Sequence, residues 1–182
     1  MKNTQIISVI NQKGGVGKTT TVINLATALA FRKKKILVID LDPQGNATTG
    51  LGLENDDESK TIYDVLNGNS NFENTIKDTA IDNLKLVSSN VDLSGLEIET
   101  ASENRRAFLL KDKIENFINS SKNDFSYIFI DCPPSLSLLT IMSLVVANSL
   151  IVPLQTEFFA LEGLSQLIKT IDRIKVNLNP EL

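Results

Sequence analysis

Histidine and tryptophan are absent from this 182-residue chain, and cysteine occurs once, at Cys132. Without histidine there can be no Ser-His-Asp triad, no Cys-His nucleophile pair and no histidine-ligated zinc. One cysteine cannot close an intramolecular disulfide, nor can it alone hold zinc or an iron–sulfur cluster, and a reducing cytoplasm suits it best. A long apolar run is missing too. The most apolar stretch, 136–154, is broken by Ser137, Thr140, Ser143, Asn148, Ser149 and Pro153, as expected of a buried helix followed by a strand rather than a membrane span. The first residues, MKNTQIISVIN, lack the apolar segment and small-residue cleavage site of a secretory signal. Nor is there an excess of positive charge. The net charge is −4 and the isoelectric point about 4.9, so contact with nucleic acid would need a local basic patch.

Hydrophobic residues make up 42% and charged residues 22% of the chain, the balance of a soluble α/β protein with a packed core. The length suits one domain spanning residues 1–182, and no linker or internal repeat divides it. Short β-branched runs predict strands over 5–10, 36–40, 84–88, 127–131 and 149–154, with helices over 18–31, 61–66, 103–119, 136–147 and 161–176. All the strands but the third are continuously apolar. Such strands are buried on both faces, so the expected architecture is a doubly wound, mostly parallel sheet covered by helices on two sides. The acidic stretch 54–59 and the asparagines at 67, 69, 71 and 74 read as an exposed irregular excursion.

Strand 5–10 runs into Asn11-Gln12-Lys13-Gly14-Gly15-Val16-Gly17-Lys18-Thr19-Thr20, where a helix begins. Strand, glycine-rich loop and helix N-terminus stand in the order a phosphate cradle requires. Glycine lets backbone N–H groups turn inward around phosphate oxygens, where a Cβ would obstruct both the φ values and the approach. Lys18 is placed to reach the β- and γ-phosphates, and Thr19 to offer its hydroxyl to Mg²⁺. The loop departs from the usual Walker A pattern: Gln12 occupies the first glycine position, and a second lysine, Lys13, follows it.

Acidic groups for Mg²⁺ and the attacking water belong at the C-terminal ends of the strands. The run 127–130 ends in Asp131, with the character of a Walker B carboxylate that binds Mg²⁺ directly or through a water. The run 36–39 ends in Asp40, followed by Leu41-Asp42-Pro43-Gln44, with Asp42 further out towards a candidate water. Cys132 reads as a small residue fitted behind the site, since no histidine is present to activate it.

Four segments, Lys13–Thr20, Asp40–Gln44, Asp131-Cys132-Pro133-Pro134-Ser135 and 153–163, together resemble the ParA family of chromosome- and plasmid-partitioning ATPases with a deviant Walker A motif, most closely its Soj-like members. The resemblance runs the length of the chain. It implies a P-loop ATPase fold that takes ATP and Mg²⁺, with Lys13, Lys18 and Asp42 as catalytic residues. Lys13, Gly14, Gly15, Val16, Gly17, Lys18, Thr19 and Thr20 would bind the nucleotide, Thr19 and Asp131 the metal, and Asp40 would play a supporting part. Lys13 would be the signature lysine, reaching the nucleotide of a partner subunit, while Asp42 would orient the hydrolytic water. The implied behaviour is weak ATP hydrolysis in the cytoplasm at the nucleoid, an ATP-dependent homodimer, nonspecific DNA binding and stimulation by a ParB-type centromere-binding protein, with no membrane partner.

The chain stops at Leu182, where family members continue through further strands and helices. A C-terminally truncated chain is therefore expected, with the adenine-contacting segment and the main DNA-binding residues beyond it. Arg32-Lys33-Lys34-Lys35 reads as a solvated helix-to-strand connection, the alternative being a patch for a phosphate backbone. Two other functions stay open: a MinD-type membrane-associated division ATPase, which would need a C-terminal amphipathic helix, and a folded fragment that binds nucleotide without hydrolysing it. An electron carrier of the nitrogenase-reductase type is excluded by the single cysteine.

Overall fold

The computed structural model describes residues 4–53, 59–120, 124–156 and 160–182. Its strands are β1 (Gln5–Val9), β2 (Ile36–Asp40), β3 (Ile76–Asp78), β4 (Leu84–Val87), β5 (Tyr127–Asp131) and β6 (Ser149–Ile151). Helices are α1 (Lys18–Phe31), α2 (Asn46–Gly50), α3 (Ile62–Leu66), α4 (Phe72–Thr75), α5 (Leu96–Glu99), α6 (Leu109–Ser120), α7 (Leu138–Val146) and α8 (Ala160–Asn177). The six strands lie in the order β3-β4-β2-β5-β1-β6, parallel throughout except for β3 against β4 at one edge.

Alternation along the strands sorts the core into two layers, because successive side chains leave opposite faces. Ile36, Val38, Leu84, Leu86 and Phe129 pack with Val22, Ala26 and Ala30 of α1 and Ala47 of α2. Leu37, Ile39, Ile128 and Ile130 face the other way, onto α3, α6, α7 and α8 through Val65, Ile114, Met142 and Leu167. The sheet is thus doubly wound, as its apolar strands require. Lys18, Val22, Ala26 and Ala30 are the buried stripe of α1. Its small residues let the helix sit close to the sheet and bring its first turn over the end of β5.

Several elements differ from the sequence reading. Strands 5–10 and 149–154 end earlier, at Val9 and Ile151. Helix 103–119 starts instead at Leu109, because its first residues form tight turns in which the Arg106 and Phe108 amides bond back three residues, to Glu103 and Arg105. The Arg105 guanidinium lies 4.9 Å from the Phe108 ring centroid. Strand β3 and helices α2, α4 and α5 are additions, all five residues or shorter and too short for a periodic signal. Asn67 ends α3, Asn69 and Asn71 lie between α3 and α4, and Asn74 lies within α4, which Asn71 caps by accepting from the Asn74 amide. Of the acidic stretch, 54–58 lies outside the described residues.

The last turn of the chain is pinned to the core. Buried Asn179 donates from Nδ2 to the Leu144 and Ala147 carbonyls at the C-terminal end of α7, at 2.9 and 2.8 Å. Asn179→Ala leaves both carbonyls without that donor and should cost about 2 kcal/mol, read as a fall in thermal midpoint of roughly 4–8 °C. A midpoint within a degree of the parent's would mean that water replaces the amide.

Candidate active site

Parallel register aligns the carboxyl ends of three central strands: Val9 and Asp40 both pair with Asp131. The chain leaving β1 forms the glycine loop, which places it beside the two strand-end carboxylates. Gly15 and Gly17 have φ of +73° and +91°, the left-handed region where a Cβ is strained. A Cβ built on Gly14, Gly15 or Gly17 would meet nothing within 4 Å, so these glycines face open space that side chains would otherwise fill. Gly17 is the N-cap of α1, and the first amides of the helix open onto the same space.

A cleft of about 280 Å³ is lined by Gly14, Gly15, Gly17, Lys18, Thr19 and Thr20, joined by Asp42, Asn46 and Pro134. Lys18 is only 7% exposed, and its ammonium donates to the Lys13 carbonyl at 3.2 Å, bridging the loop. Burial lowers the Lys18 pKa, against the opposing pull of Asp131 and Asp42. The Thr19 hydroxyl donates to Asp131 Oδ2 at 2.7 Å. Asp131 Oδ1 is buried with no hydrogen-bond partner among the described residues. Burial, with Asp40 and Asp42 nearby, pushes the Asp131 carboxyl up to about 7, although the Thr19 bond pulls the other way. Asp131 is itself fully buried and meets the cleft through Thr19, which lines it. A desolvated carboxylate with an unpartnered oxygen behind a threonine hydroxyl, at the glycine loop, suits a divalent cation bound with a polyphosphate.

Asp42 is 5% exposed. It lines the cleft, with Oδ1 accepting the Gln44 amide at 3.0 Å. Asp40 does not reach the cleft. Fully buried, it accepts from the Asp42 amide at 3.1 Å and from the Thr48 amide and hydroxyl at 2.8 Å each, while burial lifts its pKa to about 6.

Lys13 is exposed and lies apart from the cleft, on a second cavity of about 220 Å³ shared with Gln12, Val16, Leu154 and Gln155. Its backbone is held at both ends: the amide donates to Asn11 Oδ1 at 3.0 Å and the carbonyl accepts Lys18. Val16 is buried and lines that second cavity rather than the cleft. Cys132 is buried, its thiol 3.1 Å from the Ser143 hydroxyl and its pKa pushed up to about 12 by burial, which makes it packing rather than a nucleophile.

Asn46 lines the cleft from outside the segments singled out in the sequence, while Pro134 at the cleft and Gln155 at the glycine loop lie within those segments without having been given a site role. Gln155 Nε2 donates to the Gly15 carbonyl at 3.2 Å. The Gly45-Asn46 pair was the available signal for the first, since a left-handed glycine starts α2 there. Of segment 153–163, residues 157–159 lie outside the described residues. Arg32 to Lys35 are exposed between α1 and β2, and among the described residues no helix is long and apolar enough to cross a membrane.

A doubly wound sheet, a glycine loop between β1 and α1 and a carboxylate at the end of β5 define a P-loop nucleotide-binding fold. A family model described as an AAA domain matches residues 4–182. The chromosome partitioning protein ParA of Caulobacter vibrioides is 46% identical over 98% of this chain, and the sporulation initiation inhibitor protein Soj of Bacillus subtilis 45% identical over the same share. The chain belongs to the ParA/Soj family of partitioning ATPases. It spans 66% of the length of the Caulobacter protein and 69% of the Bacillus one. A solved structure of cobyrinic acid a,c-diamide synthase from Mycobacterium smegmatis with bound ADP and magnesium superposes with a TM-score of 0.91, at 37% identity over 98% of this chain and 71% of that one.

Proposed function

We propose that this chain is the core, in one domain over residues 1–182, of an ATP-driven switch for chromosome or plasmid partition. The observation that carries the reading is the Thr19–Asp131 pair at 2.7 Å with the second Asp131 oxygen unpartnered, set beneath a glycine loop whose faces are open. The backbone amides of that loop and the Lys18 ammonium bind the β- and γ-phosphates of ATP, while Thr19 and Asp131 hold Mg²⁺. The metal, when bound, neutralises charge developing on the transferred phosphoryl group. Asp42 orients the attacking water, and Asp40 holds the backbone of Asp42. Hydrolysis is slow, the ATP-bound protein dimerises and binds DNA nonspecifically at the nucleoid, and a ParB-type centromere-binding protein stimulates turnover.

The test is phosphate release from Mg-ATP, alone and with DNA and a cognate centromere-binding protein. Slow release that those partners raise together supports the switch. Nucleotide binding with no release under any condition would leave a non-hydrolysing module.

Lys13 gives this reading a separate check. Its exposed side chain lies outside the cleft that Lys18 already serves, so its ammonium suits phosphates brought by a second subunit, offsetting repulsion between two triphosphates. Lys13→Ala should leave monomer affinity for ATP within about threefold while abolishing the Mg-ATP-dependent dimer, because side-chain truncation spares both backbone bonds of residue 13. Lys13→Arg should also be impaired, since a planar fork approaches phosphate differently from a compact ammonium. Light scattering with Mg-ATP, in an Asp42→Ala background to prevent turnover, decides it. A full-strength Lys13→Ala dimer would remove Lys13 from the subunit contact.

A further inference from the structure

Behind the cleft a fully buried run of hydrogen bonds ties the loop that carries Asp42 to the neighbouring strand end. Asp40 closes this loop at both ends, taking the Asp42 amide on Oδ1 and the Thr48 amide and hydroxyl on Oδ2. The Thr48 hydroxyl is the junction. Its proton goes to Asp40 at 2.8 Å, and its oxygen accepts the Ser89 amide at 3.1 Å. Asp40, Thr48 and Ser89 are each 0% exposed, so water does not replace either bond. Ser89 follows the end of β4, which pairs with β2, so the hydroxyl fastens the far end of the 40–48 loop to the sheet. Thr48 itself does not line the cleft, where this loop places Asp42 and Asn46.

We propose that Thr48 is a positioning residue for hydrolysis: by bonding Asp40 and the Ser89 amide at once, its hydroxyl fixes the loop on which Asp42 faces the glycine loop. The proposal rests on the ATPase reading above. Phosphate binding draws on the glycine loop and α1, whereas the Thr48 hydroxyl bonds Asp40 and Ser89, so it should be spared. Water orientation tolerates errors of only a fraction of an ångström, so it should not be. A loop that loses its anchor therefore costs kcat while KM and affinity hold.

The experiment uses the full-length protein with Thr48→Val, which keeps the shape and removes the hydroxyl, Thr48→Ser, which restores it, and Asp42→Ala alongside. Three quantities are read: kcat and KM for Mg-ATP, the dissociation constant of a non-hydrolysable ATP analogue, and amide hydrogen exchange at Asp42, Thr48 and Ser89. Thr48→Val should lower kcat by about tenfold or more with KM and affinity within about threefold, and should speed exchange at those amides. Thr48→Ser should return all of them to within about twofold of the parent. Normal turnover in Thr48→Val beside a defective Asp42→Ala would overturn the proposal alone. Equal loss of affinity and kcat would also overturn it, by making Thr48 part of the general framework, as would a Thr48→Ser protein no better than Thr48→Val. Normal turnover in Asp42→Ala would bring down the hydrolysis reading itself. Should Thr48→Val fold poorly, Thr48→Cys, a weaker donor of similar size, is expected to show the same split.

Discussion

Lys18→Ala should weaken binding of ATP about 100-fold, the loss expected when a charge-assisted contact worth up to ~3 kcal/mol is removed. The ammonium is the one cation lining the cleft among the described residues. It is nearly buried and already partly stripped of water, so much of its desolvation cost is met before phosphate arrives. The fold should survive, since the lost bond is to the carbonyl of exposed Lys13 rather than to the core. Calorimetric titration checks affinity and a melting curve checks the fold. An unchanged dissociation constant in a folded variant would remove Lys18 from the phosphate site.

Asp42→Ala should keep Mg-ATP affinity within about threefold and cut turnover by 100-fold or more, within the range that positioned acid–base groups contribute. Taking a negative charge from the cleft does not weaken the hold on a triphosphate, whereas orientation of water matters only on the way to the transition state. Asp42 also accepts the Gln44 amide, so a turn role competes with the chemical one. Asp42→Asn separates them, because the amide oxygen can still accept from Gln44 while the charge is gone. Turnover should be lost in both variants. Activity restored by asparagine would make Asp42 a turn residue.

What the sequence made legible follows from where its signals are local. Strands β2 and β5 are apolar runs up to their closing aspartates, and the loop from Asn11 to Thr20 carries its glycines and lysines in one stretch, so the fold class and the place of the glycine loop between β1 and α1 could both be read directly. Asp131 was visible because it ends an apolar strand, yet its bond to Thr19 joins residues far apart in the chain. The division of labour between Asp40 and Asp42 was less legible. Two residues apart in sequence, they differ in that Asp40 points into the layer beneath α2, where Thr48 donates to it, while Asp42 has left the sheet. Helix α2 itself has the sequence NATTG, poor in helix formers, and is held by Asp40 and by the left-handed Gly45 rather than by propensity. Asn46 and Gln155 come to the cleft and its loop from separate segments that no local pattern links.

The most direct test of the account is calorimetric titration of the chain with a non-hydrolysable ATP analogue, in Mg²⁺ and again in a chelator, beside Asp131→Asn. If Thr19, Asp131 and the glycine loop form one Mg-nucleotide site, binding should be micromolar in Mg²⁺ and about tenfold or more weaker in chelator. In Asp131→Asn the Mg²⁺ dependence should largely disappear. Affinity of the parent that is indifferent to Mg²⁺, or a Mg²⁺ effect undiminished in a folded Asp131→Asn protein, would contradict the site at its foundation.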